Sequence, residues 1–183
     1  MADRVSQRGN RAGLVAGRDI NVTVPNVRTT LSTLVDKYRE EASEDQTLTR
    51  FIDQLTVFLE PVEDEPAGLE RKLELGGRGD QFRRASKMKE GFYKKLSANQ
   101  LSPAAQEIFA HLLGFIYMRF CGHVKPLVAE GADRRTVDAA VYTQVVEVAH
   151  AMLDDNVLSI HAPDIEGMLY YLAANCHVGW HVR

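Results

Sequence analysis

The sequence predicts an all-α fold, a compact bundle of five to seven helices with a short β-like extension at its N-terminus. Apolar residues recur at three-and-four spacing along most of the chain from Thr29 onward, the period of a helix with one buried face. Where that period breaks there is punctuation: Ser102-Pro103, Asp133 and Ala162-Pro163-Asp164 read as helix starts, and Pro61, Gly76-Gly77 and Gly131 as stops. The connections are short, as bundles prefer, and no repeat of roughly 20–50 residues points to a solenoid or propeller.

Residues 1–28 stand apart as an extension, with the helical domain spanning 29–183. In the segment from Gly13 to Pro25, Ile20, Val22 and Val24 alternate with polar residues, the pattern of a strand with one apolar face. Glycines 9, 13 and 17 read as turns. One short strand has no stability alone in water. It is therefore expected to join a sheet edge, pair with copies of itself in a homo-oligomer, or wait for a partner.

The first helix turns Leu31, Leu34, Val35, Tyr38 and Ala42 to one side, with Thr29 or Thr30 as its cap. Acidic residues at Ser43-Glu44-Asp45 head the second, whose face is Leu48, Phe51, Ile52, Leu55, Phe58 and Leu59 and whose end is Pro61. Glu63 to Gly68 reads as an exposed acidic loop, Leu69 to Leu75 as a modest helix, and Gly76-Gly77-Arg78-Gly79 as another loop.

A basic helix from about Asp80 to Leu96 carries Phe82, Ala85, Met88, Phe92 and Leu96 inward. Ser102 as cap and Pro103 at the first helical position open the next, with Ile108, Leu112, Phe115, Ile116 and Phe120 on its face and Pro126 or Gly131 as its stop. Asp133 caps a run striped by Val137, Val141, Val145, Val148 and Met152, whose β-branched content works against a helix. The last helix aligns Ile165, Met168, Leu169, Leu172 and Cys176.

The chain has 183 residues, 45% hydrophobic and 26% charged, enough for one domain with a real core and no covalent staples. Its 22 Lys plus Arg against 25 Asp plus Glu leave a net charge of −3, which argues against indiscriminate nucleic-acid binding. No apolar run approaches the ~18 residues needed to span a membrane, and the first residues lack a secretory signal's apolar stretch. A cytoplasmic protein is expected, with Cys121 and Cys176 as thiols.

Reactive side chains are densest at Asn175-Cys176-His177-Val178-Gly179-Trp180-His181. His177 and His181 stand four apart, the spacing that presents two metal ligands on one helix face. Gly179 interrupts that helix, no Glu follows His177, and further ligands would have to come from Cys121, His123, His111, His150 or His161. We therefore assign no metal and no cofactor, with a metal-dependent enzyme built on His177, His181 and a distant Cys or His as a lesser alternative. A cysteine nucleophile would need a histidine brought to it by the fold, and adjacent Cys176 and His177 point apart on a helix.

Gly76-Gly77-Arg78-Gly79 lacks the Lys-Ser/Thr of a phosphate-binding loop. The helix holding Arg83, Arg84 and Lys87 is locally basic, with Phe92 and Tyr93 close by. It reads as a solvated or protein-binding face, with nucleic-acid contact as the alternative.

Two stretches together, Val15-Ala16-Gly17-Arg18-Asp19-Ile20-Asn21 and Met168 to His181, resemble proteins of bacterial ABC-three-component (ABC-3C) systems. In such systems, as the resemblance implies, an ABC or SMC-like ATPase works with a middle component and an effector against phage or other mobile DNA. The likeness is to the all-α C-terminal domain of the effector or accessory component. It implies a non-catalytic adaptor whose partners are the ATPase and a third component, with nucleic acid met only indirectly. Gly17, Arg18, Asp19, Ile20 and Asn21 would then form the docking or oligomerising strand, and Tyr171, Asn175, His177 and Trp180 would touch a partner.

Overall fold

The structure, a computed structural model, describes residues 25–41, 53–62, 68–153, 156 and 158–181. Every regular element among them is helical. Helix α1 is Pro25–Glu41, α2 Asp53–Leu59 and α3 Leu69–Leu75. A 3-10 turn at Gly79–Gln81 leads into α4, Phe82–Ala98. Helix α5, Pro103–Arg119, passes through a π-helical stretch at Phe120–Val124 into α6, Lys125–Ala129. Likewise α7, Arg134–Ala140, passes through a π stretch at Val141–Val146 into α8, Glu147–Ala151, and α9 is Ala162–Ala174. Counting each π-joined pair as one rod, the described residues form seven rods. The expected strand at Ile20–Val24, and Leu48, Phe51 and Ile52 of the second helix, lie outside the described residues.

Helix α9 is the axle of the fold. From Ile165 to Ala173 all its residues but Glu166 are buried, because α3, α4, α5 and α8 all pack on it. A helix apolar on every side belongs inside such a shell. Its partner α4 lies so close that a Cβ at Gly167 would overlap the Met88 carbonyl oxygen and come 3.1 Å from the Phe92 Cβ. Two ion pairs lock the same crossing: Lys95 to Asp164 at 2.8 Å and Arg84 to Glu166 at 2.7 Å.

The expected caps are in place. Ser102 Oγ accepts from the Ala105 amide, and Glu41, the last residue of α1, accepts from both the Ala104 amide and the Ser102 hydroxyl. One carboxylate thus ties α1 to the positive end of α5. Asp133 accepts from the amides of Arg135 and Thr136, and the Thr136 hydroxyl holds its carboxyl below the usual range. Asp164 closes a capping box with His161 at the start of α9.

Four expectations need correction. Helix α1 begins at Pro25, a residue suited to the first turn because its missing N–H has no helical partner there, so Thr29 and Thr30 are not caps. Pro126 does not stop the α5 rod, since the π stretch ahead of it restarts the helix and puts Pro126 in a first turn; the chain reverses at Gly131, φ 72°. The second π stretch rotates the helix beyond it, so Val146 and Ala149 join Val145 in the core while Val141 and Val148 are only half-buried. Helix α9 ends at Ala174, so Cys176 is not part of its stripe.

Candidate functional site

The run after α9 is a built structure. Cys176 has φ 69°, the left-handed region. Its amide donates to the Ala173 carbonyl and the His177 amide to the Leu172 carbonyl, at 3.2 and 2.9 Å. That bond pair is a Schellman motif, which usually places glycine where Cys176 stands. The thiol is buried instead. Asn175, half-buried beside it, donates from Nδ2 to the Phe58 carbonyl at 2.9 Å and accepts the Val62 amide on its own carbonyl at 3.1 Å. The end of α2 is thereby pinned to the end of α9.

His177 inserts its ring edge-on between Phe58 and Tyr117, centroids 5.6 and 6.5 Å away. Burial pushes its imidazole below the ordinary value, against backbone hydrogen bonds to Phe58 and Glu60 that act the other way. The helix ends before this residue, so the four-residue spacing to His181 puts no two ligands on one face. Among the described residues no group of three or more His, Cys, Asp or Glu is arranged to hold a metal ion.

Trp180 is buried, edge-on to Phe120 at 5.6 Å and tilted against Tyr170 at 6.1 Å. On its other side lies the Gly76-Gly77-Arg78-Gly79 loop, where a Cβ on Gly76 would stand 2.6 Å from the Trp180 Cβ. Arg78, 4% exposed, sits over the indole with its guanidinium carbon 5.7 Å from the ring centre. It donates through Nη1 to the Gly76 carbonyl at 2.7 Å and through Nε to Asp138 at 2.9 Å, with Nη2 in ion-pair contact with the same carboxylate oxygen at 2.8 Å. Asp138 also receives Arg134, which bonds Asp80 with two parallel contacts of 2.8 Å and keeps that carboxyl below its usual range. A ladder of Arg78, Asp138, Arg134 and Asp80 thus fastens the glycine loop to α7 above the tryptophan.

Two clefts flank this stack. One, about 410 Å³, lies between Gly76, Val128, Arg134 and His181. The other, about 270 Å³, lies where α4, the π stretch of α7–α8, α9 and Trp180 converge.

The residues singled out in the sequence are thus distributed unevenly. Gly17, Arg18, Asp19, Ile20 and Asn21 lie outside the described residues. Tyr171 and Trp180 are interior, Tyr171 stacking on Tyr93 at 6.4 Å, so they shape the surface and do not form it. Asn175 and His177 are half-buried joints. The basic helix splits: Arg84 is spent on Glu166, whereas exposed Arg83, Lys87 and Lys94 make no ion pair among the described residues.

Other histidines and cysteines are scattered. Burial lowers the pKa of His111 and, with help from Arg119, of His123, and Cys121 is a half-buried free thiol. Among the described residues no helix is long and apolar enough to cross a membrane.

Sequence reasoning missed Asp138 and Tyr170, and it read the glycine segment as a helix stop and a failed phosphate cradle without giving Arg78 a partner. Arg78 and Asp138 are sixty residues apart, and no spacing rule pairs them. A clue was available in three glycines around one arginine, which permit close backbone approach.

A family model described as C-terminal domain 9 of the ABC-three component (ABC-3C) systems matches residues 68–180. The match opens at Gly68, just before α3, and closes on Trp180, so it contains the glycine loop, the ion-pair ladder and the Asn175–Trp180 run, and leaves out α1 and α2. No curated protein and no solved structure matches the chain. The chain belongs to the family of C-terminal domain 9 of the ABC-three component systems.

Proposed function

We propose that this protein is a non-catalytic helical adaptor of its ABC-three-component system, joining an ABC or SMC-like ATPase to an effector. The observation that carries this reading is how the reactive C-terminal run is used. Asn175 pins α2, Cys176 turns the chain, and Trp180 is clamped by Arg78, so side chains that could do chemistry are committed to holding helix ends together. A rigid all-helical scaffold with exposed Val57, Tyr117 and Met118 suits partner contact better than turnover.

The test is co-expression of the tagged full chain with its system's ATPase and third component, followed by purification and size-exclusion chromatography. A stoichiometric complex is expected. Absence of any complex, or a hydrolytic activity in the purified chain abolished by one substitution, would refute the adaptor.

A second reading draws on one specific observation, the exposed Arg83, Lys87 and Lys94 on α4, which pair with no carboxylate among the described residues. A nucleic-acid face there requires duplex affinity that falls steeply with salt and weakens when Arg83, Arg84 and Lys87 are changed to Ala. Binding indifferent to those substitutions removes it.

A further inference from the structure

We propose that the 270 Å³ cleft beside Trp180 is a binding site for a neutral planar heterocycle of the nucleobase class. Four features converge on it.

The first is an unspent hydrogen-bonding group. Tyr170 is 6% exposed, yet its hydroxyl bonds no group among the described residues. Tyr170 lines the cleft together with Arg78, Arg84, Asp138 and Glu166. That hydroxyl is open to the cleft, and the indole Nε1 of Trp180, another lining residue, is buried with no hydrogen-bond partner among the described residues.

The second is the wall. Val141, Tyr142 and Val146 belong to the π stretch, a local departure from α geometry that recurs at functional sites. It leaves the Tyr142 ring 52% exposed along the cleft, a face on which a flat group can stack.

The third is charge. Arg78 is paired with Asp138 and Arg84 with Glu166, so the ionised lining residues cancel. A bare phosphate or a bare cation would have to break a pair; an uncharged ring with donor and acceptor edges would not. Gln81, half-buried at the margin, supplies an amide that can both donate and accept.

The fourth is size. The volume lies just under the usual range of roughly 300–1,000 Å³ for ligand pockets, room for one ring system with a sugar but not for a dinucleotide.

Nucleoside binding here stands apart from the adaptor reading, because it concerns the isolated chain and needs no ATPase. The experiment is titration calorimetry of the full chain with adenosine, guanosine, cytidine and uridine in turn, each to roughly 5 mM. At least one is expected to bind with Kd of about 1 mM or tighter. Tyr170→Phe, which keeps the ring, should weaken it about five-fold, the worth of one hydrogen bond, and Gln81→Ala by a similar factor. Tyr142→Ala should weaken it about ten-fold through lost stacking. Thermal melting of each variant confirms the fold, and Gln81 and Tyr142, away from the core, keep the test valid if the Tyr170 variant is unstable. No heat from any of the four nucleosides would overturn the proposal. So would binding that ignores all three substitutions, or binding of N-acetyltryptophanamide in place of every nucleoside, which would mark the cleft as a socket for a partner's side chain.

Discussion

The Arg78 guanidinium lies 5.7 Å from the centre of the Trp180 ring while bonding Asp138 at 2.8 Å, so one buried cation joins the glycine loop, α7 and the C-terminal run. Replacing Arg78 with Met keeps much of its bulk and removes the charge and the donors. Asp138 is 39% exposed and retains Arg134, so the partner is not stranded in the interior. The expected loss is about 2 kcal/mol in urea unfolding, from the cation–π contact and the hydrogen bonds. Arg78→Lys should recover less than half of it, because an ammonium cannot bond Asp138 and the Gly76 carbonyl together. Wild-type stability in both variants would show that the ladder contributes nothing.

Helix contact distances make a paired prediction about glycines. Gly167→Ala drives a Cβ into the Met88 backbone, which cannot move without separating α4 from α9, and should cost about 2–3 kcal/mol. Gly91, on the solvent side of α4, meets nothing within 4 Å, and Gly91→Ala should raise stability by about 0.5–1 kcal/mol through lower chain entropy. Melting temperatures moving in opposite directions are the expected result; a neutral Gly167→Ala would mean the helices are not this close.

Cys176 gives a conformational test. At φ 69° a β-branched residue is strongly disfavoured, so Cys176→Val, although apolar and of similar size, should destabilise by about 2 kcal/mol. Cys176→Gly relieves the backbone but loses a buried side chain, and the two effects nearly offset. If Val proved better tolerated than Gly, the left-handed turn would be refuted.

Acid sensitivity follows from two half-buried imidazoles. Burial depresses the pKa of His177 and His111 in the fold, so as pH falls through the ordinary histidine value of 6.5 the unfolded chain binds protons that the folded chain refuses. Stability contributed by the neutral rings is therefore complete above the ordinary histidine value of 6.5 and is lost as pH falls below it. Chemical denaturation across this window should show falling stability, and His177→Gln should flatten the slope. An unchanged slope in that variant would place His177 in contact with water.

Much of the fold was legible because helix periodicity and caps are local. Ser102 and Asp133 cap where residue type and position said they would, since a side chain reaches an amide two or three residues away whatever surrounds it. The π stretches were not legible. Each depends on what the rods pack against, as where Arg119 reaches across to bond the Gln144 carbonyl at 2.6 Å in the second. The C-terminal run was picked out by its residue types but read with the wrong geometry, because the turn at Cys176 uses a residue that seldom adopts it.

By itself, then, the sequence determined the class of fold, the helix starts after Ser102, at Asp133 and at Ala162, and a resemblance carried by Asn175, Cys176, His177 and Trp180. Those are properties of short stretches, set by backbone hydrogen bonding and the pattern of apolar residues. Only the tertiary structure decided that Arg78 covers Trp180, that Asp138 holds Arg78, and that the Tyr170 hydroxyl is left facing a cleft. The reason is that such contacts join residues far apart in the chain, sixty positions for Arg78 and Asp138, and their positions depend on how the rods cross around α9, which no local pattern encodes.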